Sequence, residues 1–344
     1  MMKLMKKSKK NKASIYDIAK AVGVSAATVS YVINGKNKVS AETKKRILET
    51  MNEMGYVADQ AAVGLSRGKS NIVGICFPLE SASLVFSDNP FYSEFLANFE
   101  REISKGGYDT IVGYLKSPAE FERWLISKRL DGLVLFGLYS DEIFKIIESR
   151  KTPYVLTDFY DASSDALSIR IDDVYGGYLA GKHLIELGHK SIAFVGGKLS
   201  TSKVDSKRLE GLNKALLENN LHEAYVIETS TTFDGGYEVA EELLKLQDVT
   251  AVFCGSDIVA IGLMRRAQEL GVSIPDDLSV VGFDDLKACT YVYPALTTIA
   301  QDIQRKGQVA ASELMKTMNG EETPPIEPIE PTLVIRNSTS AQKR

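Results

Sequence analysis

Beyond residue 71 the sequence alternates short, almost wholly apolar runs with longer amphipathic stretches, a rhythm that leaves few folds open. Apolar runs fall at 72–77, 110–113, 132–136 and 154–156, then again at 191–195, 224–227, 251–254 and 278–283. Helical patterns lie between them, including 92–105, 173–187, 207–219, 235–246 and 257–270. Strands that are apolar throughout are buried on both faces, and helical crossovers between them imply parallel pairing. Two such series predict an α/β body of two Rossmann-like lobes. Ligands in these sheets sit at the carboxyl ends of the strands, so a cleft between the lobes is the expected site.

The chemistry this body can perform is restricted by what it lacks. No GxGxxG or GxxxxGK[ST] loop opens a helix, and no GxSxG elbow is present. Gly196-Gly197 follows a strand but has no third glycine. Asp172-Asp173 and Asp284-Asp285 are adjacent carboxylates, and neighbours on a chain point apart rather than form an acid/base pair. Cys76, Cys254 and Cys289 are far apart and read as free thiols of a reducing compartment. His183 and His189 are six residues apart, on different faces of a helix, and do not make a metal pair. The expectation is a protein that is not an enzyme and uses no cofactor or metal. No run of about 18 apolar residues suggests a membrane span, and no apolar segment follows the basic start as a secretory signal would require. A cytoplasmic location is expected.

The charge is divided unevenly. Residues 1–70 hold 14 Lys/Arg against 5 Asp/Glu, although the whole chain carries a net −4. A basic head on an acidic body suits a polyanion held at one end. Within that head, Ser14-x-x-Asp17 is a helix-start signal, followed by Ile15, Ile18, Ala19 and Val22 on one face and a stop at Gly23. Ser25 caps a second helix whose inward residues are Val29, Val32 and Ile33, ended by Asn34-Gly35. Ser40 caps a third, with a buried stripe of Ile47, Leu48, Met51 and Met54. Two short helices joined by a Gly-containing turn, then a packing helix, make a helix-turn-helix. The outward residues of the second helix, Ala26, Ala27, Thr28, Ser30, Tyr31 and Asn34, include no charged group. A merely solvated face would show Glu and Lys; this one suits a groove.

Residues 14–65, including DIAKAVGVSAATVSYVIN from Asp17 to Asn34, closely resemble the headpiece and hinge of the lactose-repressor (LacI/GalR) family. The resemblance continues more loosely to about residue 336. It implies that Ala26, Ala27 and Tyr31 read base edges in the major groove. It places Ser14, Tyr16, Ser25, Thr28, Ser30, Asn34, Lys38 and Ser40 at phosphates or neighbouring bases. Alanines offer apolar contact only, so hydrogen-bonded discrimination on this helix falls mainly to Tyr31. In the hinge, ADQAAVGLSRGKS, Leu65 matches a leucine that wedges into the minor groove once DNA makes the segment helical, with Arg67 and Lys69 near phosphates. Ala58-Asp59 replaces the family's usual Pro-Asn. Gly64 costs a helix roughly 1 kcal/mol relative to alanine, which predicts a hinge unusually dependent on DNA for folding.

The resemblance also gives the lobes a periplasmic-binding-protein architecture and maps effector contacts onto Phe91, Tyr92, Asp158, Arg208 (in KRLEG), Phe233 (in STTFDGGY) and Asp284 (in VVGFDD). An Asp and an Arg holding vicinal hydroxyls, with an aromatic against the C–H face, suit a sugar. The expected organisation is a basic tail (1–13), headpiece (14–57), hinge (58–71), first lobe (72–161 with 293–323), second lobe (162–292 with 324–336) and tail (337–344). The expected function is a sequence-specific transcriptional regulator, most simply a repressor of carbohydrate-utilisation genes. Its partners would be double-stranded operator DNA, a second copy of the chain and a small sugar. A purine or a phosphorylated carrier protein is an alternative effector, and a solute-binding protein is the alternative of another class. Residues from Pro331 to Arg344 show no leucine heptads, so a dimer without a tetramerising coiled coil is expected.

Overall fold

The computed structural model describes residues 13–35, 38–56, 69–77, 89–114, 117–137, 139–160 and 167–342. The chain divides between Asn71 and Ile72 into two compact units. The first holds α1 (Ile15–Val22), α2 (Ala26–Ile33) and α3 (Ala41–Glu53). Each begins at the serine expected to cap it, and at α1 the Ser14–Asp17 box is complete in both directions. Gly23 ends α1 in the left-handed conformation, φ 77°, which a residue without Cβ adopts at little cost. The small core is Ile18, Ala19, Val22, Val29, Val32 and Ile47. Leu48 and Met54, expected to be buried, are 47% and 39% exposed. One buried isoleucine, with Met51 half-buried beside it, is all that so short a bundle covers on α3.

The second unit opens with β1 (Ile72–Phe77), α4 (Pro90–Ile103), β2 (Asp109–Tyr114), α5 (Pro118–Lys128), β3 (Gly132–Phe136), α6 (Asp141–Arg150), β4 (Tyr154–Thr157) and β5 (Ser168–Ile169). These strands form a parallel sheet in the order β2-β1-β3-β4-β5. The chain continues through α7 (Asp173–Glu186), β6 (Ile192–Gly196), α8 (Lys203–Glu218), β7 (Tyr225–Glu228), α9 (Phe233–Leu243), β8 (Ala251–Cys254), α10 (Asp257–Glu269), β9 (Ser279–Asp284), β10 (Thr297–Ala300), α11 (Ile303–Met318) and β11 (Thr332–Val334). The second sheet runs β11-β10-β9-β8-β6-β7, parallel except for the β10–β11 pair. Among the described residues no helix is long and apolar enough to cross a membrane.

Two lobe boundaries differ from expectation. β5 pairs with β4 in the first sheet, so the chain leaves that lobe after Ile169 rather than at 162. β10 pairs with β9 in the second sheet, so the return crossing lies after Ala300 rather than at 293. A two-residue strand carries no readable pattern, and β10 is read as a connection only when its partner is unknown. At the crossings, the Asp172 amide donates to Ile329 O (3.1 Å) and the Ile329 amide to Arg170 O (2.9 Å), tying two lobe connections together. α8 also starts four residues before its expected position, because Ser202-x-x-Asp205 repeats the serine cap seen at α1.

Candidate functional site

In the first unit, α2 turns Val29 and Val32 into the core and carries no charge. Ala27 is exposed and Ala26 is partly covered by the small core, so the two alanines are not equivalent. Lys38 Nζ lies 5.6 Å from the centre of the Tyr31 ring, which steadies the one aromatic expected to read bases. Thr28 and Ser25 share a hydroxyl–hydroxyl bond (2.9 Å), and Asn34 Nδ2 donates to Ser30 O (2.9 Å) and Ser30 Oγ (3.1 Å). Tyr16 is 73% exposed. Ser14, Ser25 and Ser40 stand at helix starts, where free amides and the helix dipole favour phosphate. Leu65 lies outside the described residues.

In the second unit a cleft of about 820 Å³ opens between the two sheets at the carboxyl ends of their strands. The first-lobe wall is aromatic: Phe136 stacks on Phe77 (5.0 Å, 21°) and meets Phe95 edge-on (4.6 Å, 82°), with Phe91 and Tyr92 alongside. The second-lobe wall is polar, built from the loop after β6, residues 229–232, Ser256 and Asp284. Five of the six expected effector residues, Phe91, Tyr92, Asp158, Arg208 and Asp284, line it. Phe233 does not. It is the first residue of α9 and lies against Tyr237 (6.3 Å, 26°), leaving the hydroxyls of Thr229 to Thr232 at the cleft.

The charged groups form two linked chains. Arg208, 6% exposed, donates from Nε to Asp173 Oδ1 (2.8 Å) and from Nη1 to Gly255 O, and its guanidinium lies 3.5 Å over the Phe283 ring. Tyr160 donates to the other oxygen of Asp173. Burial works against the Arg208 charge, but Asp173, Asp284 and Asp205 together hold its pKa above the usual arginine value. The second chain runs from Asp158 to Lys306 Nζ (2.5 Å), on to Gln301 Oε1 (3.1 Å), and from Gln301 Nε2 to Asp284 Oδ1. It therefore joins a first-lobe carboxylate to a second-lobe one through a crossing. Burial pushes the Asp284 carboxyl well above its ordinary pKa, with Arg208 opposing the shift.

Lys306, Gln301, Asp173, Asp205 and Tyr160 were not legible as site residues from motif reading alone. Lys306 did leave a signal: it falls on the apolar stripe of α11 with Ile303, Gly307 and Ala310, and is 1% exposed. A lysine on a buried helical face requires a partner.

Beside the cleft, Asp257 is fully buried and accepts from the Leu286 amide (2.8 Å) and the Thr298 hydroxyl (2.5 Å). Burial raises its pKa from 3.8 to about 7. Between those values the folded protein keeps a proton that the unfolded chain has released. The contribution to stability is complete below about pH 4 and is lost as pH rises through about 7. Denaturant unfolding at pH 4 to 8 is expected to show a shallower loss of stability with rising pH for Asp257→Asn than for wild type. Parallel curves would remove this group as the cause.

Comparison with known proteins gives this architecture a family. Residues 14–59 match the bacterial regulatory proteins of the lacI family, and residues 182–339 match a periplasmic binding protein-like domain. Catabolite control protein A of Priestia megaterium is 34% identical over 316 residues, covering 90% of this chain and 93% of that protein. The chain belongs to the LacI/GalR family of DNA-binding transcriptional regulators. Among solved LacI-family structures, a regulator from Enterococcus faecium with bound ribose is similar at 30% identity and a TM-score of 0.72, over 79% of this chain and all of that one. The lac repressor dimer bound to operator and the anti-inducer ONPF is similar at 27% identity and a TM-score of 0.82, over 96% of this chain and 100% of that one. LacI-family regulators are not enzymes.

Proposed function

We propose that this regulator is a repressor of carbohydrate-utilisation genes that binds a palindromic operator as a dimer, under the control of a sugar in the inter-lobe cleft. The observation that carries the reading is the cleft itself: Asp284 and Arg208 on the second lobe face the aromatic wall of the first, where Asp158 also stands, across about 820 Å³. Carboxylates and a guanidinium suit vicinal hydroxyls, and aromatic faces suit the C–H side of a sugar ring. The ribose-bound relative supports the ligand class, and the operator-bound lac repressor dimer supports the assembly. A two-fold dimer matches a palindromic site, with α2 of each headpiece in a major groove and Tyr31 as the principal hydrogen-bonding reader. The hinge over 58–71 couples the two functions. Effector changes how the lobes close about their crossings, and this favours or forbids hinge folding and insertion of Leu65.

The test is selection of duplexes from a random pool by the purified protein, repeated with sugars and purines added singly. A selected palindrome whose binding shifts with a sugar is the expected result. A palindrome indifferent to every small molecule would point to a protein co-regulator, and one that responds only to a purine would replace the ligand class. On the selected site, Leu65→Ala is expected to weaken binding roughly tenfold or more, about 1.4 kcal/mol, without altering sugar affinity. Equal operator affinity would remove the wedge.

A further inference from the structure

We propose that the effector is a phosphorylated sugar, its ring deep in the cleft and its phosphate at the second-lobe rim formed by Lys198, Lys203 and the hydroxyls of residues 229–232. The inference rests on the effector reading above and narrows it. Lys198 and Lys203 both line the cleft, are exposed, and form no ion pair among the described residues. Around them stand Ser200, Thr201 and Thr231. Gly197 lets the two loops meet: a Cβ there would lie 2.7 Å from Asp205 Oδ2, 3.2 Å from the Thr231 methyl and 3.4 Å from Ser202 Cβ.

The other end of the same wall has the opposite character. Asp284, at the end of β9, is 5% exposed and accompanied by the Asp158–Lys306 pair. Midway, at the end of β8, Ser256 is 5% exposed, lines the cleft and makes no capping bond at the start of the 13-residue α10. Its hydroxyl has no hydrogen-bond partner among the described residues. A buried hydroxyl at a helix N-terminus awaits a ligand oxygen. The strand order β9-β8-β6-β7 then runs along the wall from Asp284, through the free serine and Asp205, which accepts from the Ser202 hydroxyl, to the exposed lysines and hydroxyls. The lysines follow β6, two strand spacings or roughly 10 Å from β9, and residues 229–232 follow β7, roughly 14 Å away, a length that exceeds a hexose ring and suits a ring with an extended anionic substituent.

Charge decides the orientation. An anion at the β9 end would face Asp284 beside an Asp158 already paired with Lys306, whereas at the β6 end it meets two ammonium groups with no ion pair among the described residues. A neutral disaccharide would fill the length but leave those lysines unused. Hydroxyls accepted by Asp284 and a phosphate on Lys198 and Lys203 satisfy both ends.

Calorimetric titration of the full-length protein with glucose 6-phosphate, fructose 6-phosphate and fructose 1-phosphate, each against its parent hexose, tests this. At least one phosphate ester is expected to bind tenfold or more tightly than its parent, with affinity falling as salt is raised. The Lys198→Gln/Lys203→Gln variant, changed only at exposed side chains, should bring that ratio close to one. Esters and parents that bind alike, a ratio unmoved by the double variant, or no binding by any ester would each overturn the proposal. A neutral saccharide or purine whose binding is lost in Asp284→Asn would overturn the phosphate and leave the effector cleft standing. Ligand binding unaffected by Asp284→Asn would instead remove the cleft reading.

Discussion

Asp284→Asn is expected to weaken effector binding by roughly thirtyfold to a hundredfold, about 2–3 kcal/mol, while operator affinity without effector stays within a few-fold of wild type. Asparagine is the informative replacement. Asp284 has φ 122°, a region in which asparagine is better tolerated than alanine, and its Oδ1 accepts from Gln301, a side chain only 2% exposed. Alanine would leave that amide buried without its acceptor and confuse loss of ligand with loss of structure. Asparagine keeps an acceptor for Gln301 and replaces one of the two carboxyl oxygens offered to ligand hydroxyls with an amide that can only donate. Titration calorimetry and operator binding on the same preparation separate the two effects. An unchanged response to effector would mean that the ligand does not use the β9 end of the cleft.

Gly177→Ala is expected to destabilise the second unit by about 2 kcal/mol or more. In isolation the change should help, since alanine is favoured over glycine in a helix by roughly 1 kcal/mol. Packing reverses the sign. A Cβ on Gly177 would overlap the Arg208 carbonyl, and the reciprocal Cβ on Gly211 would overlap the Val174 carbonyl, so α7 and α8 touch backbone to backbone. Forcing atoms into such a contact costs typically 1–3 kcal/mol and more where backbone must move. Asp173 is on α7 and Arg208 on α8, so separating the helices also lengthens their 2.8 Å ion pair. Urea unfolding should show a lower midpoint, and effector affinity should fall with it. A variant as stable as wild type would mean that the two helices have room to part.

The reach of the sequence can be judged from individual residues. The helix caps at Ser14, Ser25 and Ser40 were legible because capping is a local bond between neighbours in the chain. The alternation of apolar runs and amphipathic stretches gave both sheets, since burial on two faces leaves its mark on composition along each strand. Asp284 and Arg208 were legible through resemblance, and the cleft contains them. Phe233 was placed there too, but its ring turns to Tyr237, a choice made by packing at the start of α9.

What the sequence by itself determined was local: which segments become helix or strand, where they start, and which face of each is apolar. The tertiary structure alone decided the lobe to which β5 and β10 belong, because strand pairing joins residues far apart in the chain. It alone brought Lys306 to Asp158 across 148 positions and Arg208 to Asp173 across 35. A buried charge is stabilised by whichever opposite group the fold carries to it, and no local pattern records that partner.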